Sequence, residues 1–104
     1  MEQAFYRERL EQRHGIRVLI PDPQQRQEVH RIIYEELCLG QVREASRAIY
    51  RAVIASLVAQ GAQAVILGCT EIGLLVGATD ASVALFDTTA LHAQQAAEWA
   101  LADA

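Results

Sequence analysis

The chain has 104 residues, 52% of them hydrophobic, and a formal net charge of −4. That length fits one small domain or part of a larger one, with ample apolar material for a core. The acidic balance excludes a general phosphate-backbone binder, which needs a cationic surplus to displace counterions.

No apolar run approaches the roughly 18–20 residues needed to span a bilayer. The N-terminus lacks a basic stretch followed by an apolar core, so no signal peptide is expected. Two cysteines without an export signal fit a reducing cytoplasm better than a disulfide framework. Apart from histidine, every basic side chain is arginine and none is lysine. The chain therefore offers no amine for a pyridoxal-phosphate Schiff base.

In chain order, residues 2–14 read as a helix with Phe5, Tyr6 and Leu10 as a short apolar stripe, closed by Gly15. Residues 16–20, β-branched and mostly apolar, predict a buried strand that Pro21 ends. Asp22-Pro23 is a helix start, with a capping carboxylate and proline at the first helical position. That helix is expected to run to about Cys38 on a stripe of Val29, Ile32, Ile33 and Leu37. A third helix, about 42–60, carries Ala45, Ile49, Val53 and Leu57 as its expected buried stripe.

Residues 64–67 are apolar on both faces, the pattern of a central strand in a helix-covered parallel sheet. A short helix over 70–76, a third strand over 82–86 and a last helix to about Leu101 complete the order. The last helix is expected to turn Ala93, Ala96, Ala97 and Ala100 toward the sheet. Alternating strands and helices predict a single α/β domain over 1–104, a three-layer sandwich with a short parallel sheet. Three strands are few for such a sheet. The chain thus reads as a fragment, or as a subunit of a homo-oligomer that completes its sheet with a partner.

Ligands of open α/β sheets bind beyond the carboxyl ends of the strands. Here those ends are Pro21-Asp22, Gly68-Cys69-Thr70 and Asp87-Thr88-Thr89. Cys69 lies between a strand end and a predicted helix start, where free N–H groups would lower a thiol pKa. The same N–H groups and the Thr70 hydroxyl suit a small carboxylate. On spacing alone, the reading of Cys69 as a buried small hydrophobe stands slightly ahead. Glu71 fits either a partner of Cys69 or of a substrate amine, or a first-turn glutamate favoured by the helix dipole. Tyr34 fits either a substrate hydrogen bond or a half-buried aromatic with its hydroxyl in water. Cys38 has no cysteine or histidine at metal-ligand spacing, so no metal site is expected. His92, His14, His30 and Trp99 read as surface or anchoring residues.

Gly68-Cys69-Thr70-Glu71-Ile72, with the apolar strand before it, resembles the second cysteine motif of the cofactor-independent aspartate/glutamate racemases. Three further stretches agree in order and spacing. They are Met1-Glu2-Gln3-Ala4-Phe5-Tyr6, the helix segment from Arg31 to Gly40, and Phe86-Asp87-Thr88-Thr89-Ala90-Leu91-His92-Ala93. The resemblance implies one lobe of a two-lobe racemase fold acting on a small amino acid, with no cofactor. It also implies two-base proton transfer at Cα, with Cys69 as one base and Thr70, Glu71 and Tyr34 binding substrate. About 82–101 would pack on a first lobe that these residues do not include, and the opposing base would come from that lobe. Aspartate-preferring members carry a lysine four residues after the tyrosine of this helix. Here Tyr34 is followed by Cys38, which favours broader specificity. The alternatives are a non-catalytic truncated paralogue acting as an oligomerising or ligand-binding module, and a related isomerase or lyase that uses the same cysteine.

Overall fold

The computed structural model describes residues 4–102. Residues 1–3, and the Phe5 and Tyr6 side chains expected in the first stripe, lie outside what is described. Helix α1 spans Ala4–His14 and ends at Gly15, whose φ of 64° is the left-handed conformation that glycine adopts at least cost.

Residues 16–20 form no strand, contrary to the sequence expectation. Their composition favours an extended backbone, but a strand exists only where a neighbour accepts its hydrogen bonds. In this stretch the Ile16 N–H bonds back to the Leu10 carbonyl at 3.4 Å, and among the described residues no strand pairs with it. Ile16 is exposed, while Val18, Leu19 and Ile20 are half-buried.

Helix α2 spans Pro23–Glu35. Its cap is as expected: Asp22 Oδ1 accepts the Gln25 N–H at 2.8 Å. The α-helix stops earlier than expected and tightens into a 3₁₀ turn over Leu37–Leu39, which Gly40 closes at φ 76°. Helix α3 spans Glu44–Ala59. Its buried face is rotated from the predicted one: Ser46, Tyr50, Val53, Ile54 and Leu57 are buried, Ile49 is half-buried and Ala45 is exposed.

Strand β1, Ala64–Leu67, pairs in parallel with β2, Ala84–Asp87, with Ile66 opposite Phe86 and Leu67 opposite Asp87. The fold is α/β with a short parallel sheet, of two strands among the described residues. The core gathers Val29, Ile32 and Leu37 from α2 and its turn, Tyr50 and Val53 from α3, Leu67 from β1, and Leu75 and Val76 from the loop after it. Ile32 is fully buried.

The other sheet face is open. Ile66 and Phe86 are 42% and 45% exposed, so β1 is covered on one face only, contrary to its all-apolar pattern. Helix α4, Thr88–Ala102, buries no residue. Ala93, Ala96, Ala97 and Ala100 all face solvent in this chain, contrary to the expectation that they pack on the sheet. Its small residues would permit close packing, but nothing described lies over them. Among the described residues, no helix is long and apolar enough to cross a membrane.

Candidate active site

The parallel pairing brings two of the three polar strand ends together. Leu67 of β1 lies opposite Asp87 of β2, so Gly68-Cys69-Thr70 leaves the sheet beside Asp87-Thr88. Thr88 Oγ1 donates to the Leu67 carbonyl at 3.1 Å. Asp87 Oδ1 accepts the N–H groups of Thr89 and Ala90 at 3.0 and 3.2 Å, which caps α4.

Cys69 is half-buried, and its Sγ donates to Glu71 Oε2 at 2.9 Å. Burial, and then this bond to a carboxylate, push the Cys69 thiol above its ordinary pKa. The Glu71 carboxyl is correspondingly held below its usual range, first by the Cys69 bond and then by a bond from the Thr70 side chain. The proton therefore sits on sulfur, with Glu71 as its charged acceptor.

This corrects the expectation of a lowered thiol pKa. No α-helix begins after Cys69. The chain makes a 3₁₀ turn over Ile72–Leu74 instead, too short to build an appreciable dipole at its start. Burial and, after it, the nearby carboxylate then set the sign.

The turn is fixed from α3. Arg47 Nε donates to the Leu75 carbonyl at 2.7 Å, and Arg51 pairs with Asp80, which in turn accepts the Gly77 N–H at 2.8 Å. Glu44 also pairs with both arginines, so the groove they line with Leu74, Gly77 and Thr79 is already neutralised.

Beneath the site lies a buried polar layer. Tyr50 Oη donates to the Val29 carbonyl at 3.0 Å, and the phenol is pushed upward by burial and then by the nearness of Cys69 and Glu36. Glu36, 5% exposed, accepts from Ser46 and from Arg31, the latter at 3.0 Å.

Of the residues singled out from sequence, Cys69, Thr70 and Glu71 form one hydrogen-bonded group. Tyr34 stands apart: it is 62% exposed on α2, and its ring contact is with His30, the centroids 4.5 Å apart. Cys38 is exposed and still close enough to act electrostatically on Cys69. Sequence reasoning left Tyr50, Glu36 and Arg47 unremarked. The signal for the first was the spacing of Ser46 and Tyr50 at i, i+4, which phases the buried face of α3 one residue away from the all-aliphatic stripe.

The chain matches the family model described as Asp/Glu/Hydantoin racemase over residues 2–96. Its fold is similar to that of a candidate Asp/Glu racemase from Yersinia pestis, with 62% identity and a TM-score of 0.88 over 96% of this chain and 44% of that one. It is also similar to an aspartate racemase homologue from Pyrococcus horikoshii OT3, with 35% identity and a TM-score of 0.81 over 93% of this chain and 42% of that one. The chain thus spans less than half the length of either protein. On the family match across nearly its whole length, the chain belongs to the Asp/Glu/hydantoin racemase family.

Proposed function

We propose that this chain is one lobe of a cofactor-independent amino-acid racemase of the aspartate/glutamate type, and that Cys69 is one of its two proton-transfer groups. The observation that carries the reading is the Cys69–Glu71 bond at the strand ends, in a chain that belongs to a racemase family. In a two-base racemisation, one group takes the α-proton while the other holds a proton ready to deliver. A thiol kept protonated beside a carboxylate suits the delivering role. The substrate Cα–H bond breaks toward the opposing base, the S–H proton of Cys69 passes to the other face of Cα, and Cys69 is left as thiolate. In the reverse direction the thiolate takes the proton. Stabilising that thiolate and the carbanionic Cα is the harder half of the task.

Thr70, exposed beside Cys69, and Glu71 are the proposed substrate contacts, for a carboxylate and an ammonium respectively. For Tyr34 the assignment rests on the family resemblance, because its ring is largely exposed and lies against His30. The opposing base would lie in the portion that the similar structures have beyond this chain. Two features support a covering lobe over about residues 82–101: α4 buries nothing, and Ile66 and Phe86 leave an apolar sheet face open. One lobe supplies one base and half a cleft, so the 104 residues alone are expected to racemise aspartate and glutamate negligibly. The test is the same assay on the chain alone and on the chain joined to its complementary lobe. Racemisation by the chain alone would contradict the half-site reading.

A second reading has its own support. The raised thiol is what a non-catalytic, oligomerising or ligand-binding module would show, since such a thiol reacts slowly with alkylating agents. A joined protein that keeps its racemase activity after Cys69→Ser would favour that role for this lobe.

A further inference from the structure

The junction of β2 and α4 flanks the cysteine turn on both sides. On the entry side, Thr88 Oγ1 donates to the carbonyl of Leu67, two residues before Cys69. On the exit side, the Asp87 carboxylate fills the space that a side chain at Gly73, two residues after Glu71, would need. A Cβ added at Gly73 would meet Asp87 Oδ2 at 2.5 Å, closer than any relaxed contact. Asp87 has little freedom to yield, because its other oxygen is committed to the N–H groups of Thr89 and Ala90. The span between these two anchors contains the whole Cys69–Glu71 hydrogen bond.

We infer that Asp87 and Thr88 are positioning residues for Cys69, setting the turn in which its thiol meets Glu71. Neither is placed against the sulfur: Thr88 acts through the Leu67 carbonyl, and Asp87 by occupying the space over Gly73. The functional meaning rests on the reading of Cys69 as a proton-transfer group. Proton transfer at a carbon tolerates little misplacement, and a shift of about 1 Å can cost roughly a hundredfold in rate.

The groups that act electrostatically with the thiol are Glu71 from its own turn, Cys38 from the segment after α2, and Tyr50 from α3. Neither Asp87 nor Thr88 is among them. Thr88 carries no charge, so a change there reaches the thiol through the position of the turn.

The test is the pH profile of Cys69 alkylation by iodoacetamide, in the 104-residue chain carrying Cys38→Ser so that one thiol remains. Loosening the turn frees the thiol from Glu71 and from burial. Thr88→Val is therefore expected to lower the alkylation midpoint by about half a pH unit or more. Thr88→Ser, which keeps the hydroxyl, is expected to hold the parent midpoint. Gly73→Ala, whose Cβ competes with the Asp87 carboxylate for the same space, is expected to shift the midpoint in the same direction as Thr88→Val. Either shifting variant that retains its far-UV circular dichroism decides the matter. An unmoved midpoint, even with a lowered melting temperature, shows a merely structural role and overturns the inference. Failure of the racemase reading would appear elsewhere, as a joined protein that exchanges no α-proton, and would leave this titration untouched.

Discussion

Cys69 Sγ donates to Glu71 Oε2 across 2.9 Å, so the carboxylate two residues on is the hydrogen-bond acceptor of the proposed acid. Replacing Glu71 by Gln removes the charge while keeping an oxygen acceptor. The thiol pKa should fall, and alkylation of Cys69 near pH 8 should speed up. There is a matching effect on stability. A folded thiol raised above its ordinary value of 9.0 contributes stability below that value, and this is lost as pH rises through the higher folded value. The melting temperature of Glu71→Gln should therefore fall less between pH 8 and 10 than that of the parent chain.

Acid acts on the opposite sign. Glu36 is held below its ordinary value of 4.5, first by the Ser46 hydroxyl, against the opposing push of burial, with Arg31 adding to the lowering. A depressed carboxyl contributes stability above the unfolded value that is lost as pH falls through the folded one. The chain should lose melting temperature below about pH 4.5. In Ser46→Ala that acid-dependent loss should be smaller, because less of the carboxyl's stabilisation remains to be lost. A melting series from pH 7 to 3 on both chains reads this directly.

Burial separates the two faces of the molecule. Ile32 is 0% exposed in the core, and truncating a residue so enclosed removes transfer energy and leaves a cavity. Ile32→Ala should cost about 2–5 kcal/mol in urea unfolding. Trp99 is 75% exposed on α4. Trp99→Ala should change the stability of the isolated chain by no more than about 0.5 kcal/mol. In a protein joined to its complementary lobe, the same Trp99 substitution should destabilise measurably if α4 is covered there. Equal, negligible effects in both contexts would count against a covering lobe over α4.

Tyr50 anchors the layer under the site. It is 4% exposed, and its hydroxyl donates to the Val29 carbonyl on α2 at 3.0 Å. Tyr50→Phe keeps the ring and leaves that carbonyl short of a partner, so unfolding should become easier by about 1 kcal/mol. The change is read by denaturant titration with the slope unchanged.

Much of the fold was legible because local chemistry dictates it. Asp22-Pro23 announces a capped helix, and 64–67 was identified as a strand to the residue. Two of the misread segments depended on neighbours. Residues 16–20 have the composition of a strand but lack a ladder, and the alanines of α4 have the composition of a packed face but no cover. Composition tells what a surface suits, and only tertiary partners tell whether it is met.

The site divides in the same way. The strand end with Cys69, Thr70 and Glu71 was readable from apolar residues running into a polar turn. The sign of the thiol shift was not, because it hinged on how far the thiol is buried, on a 3₁₀ turn replacing a helix and on a 2.9 Å contact that spacing does not fix. The crowding of Asp87 over Gly73 joins positions fourteen residues apart, which the parallel pairing of β1 and β2 brings together.

The central claim is that Cys69 transfers the α-proton. It is tested most directly by following deuterium incorporation at Cα of aspartate and glutamate in D₂O by NMR, using the chain joined to its complementary lobe. The account expects steady incorporation by the unsubstituted protein, and a loss of about 10²–10⁴-fold in Cys69→Ser with the fold intact. Incorporation by Cys69→Ser at the unsubstituted rate would contradict it.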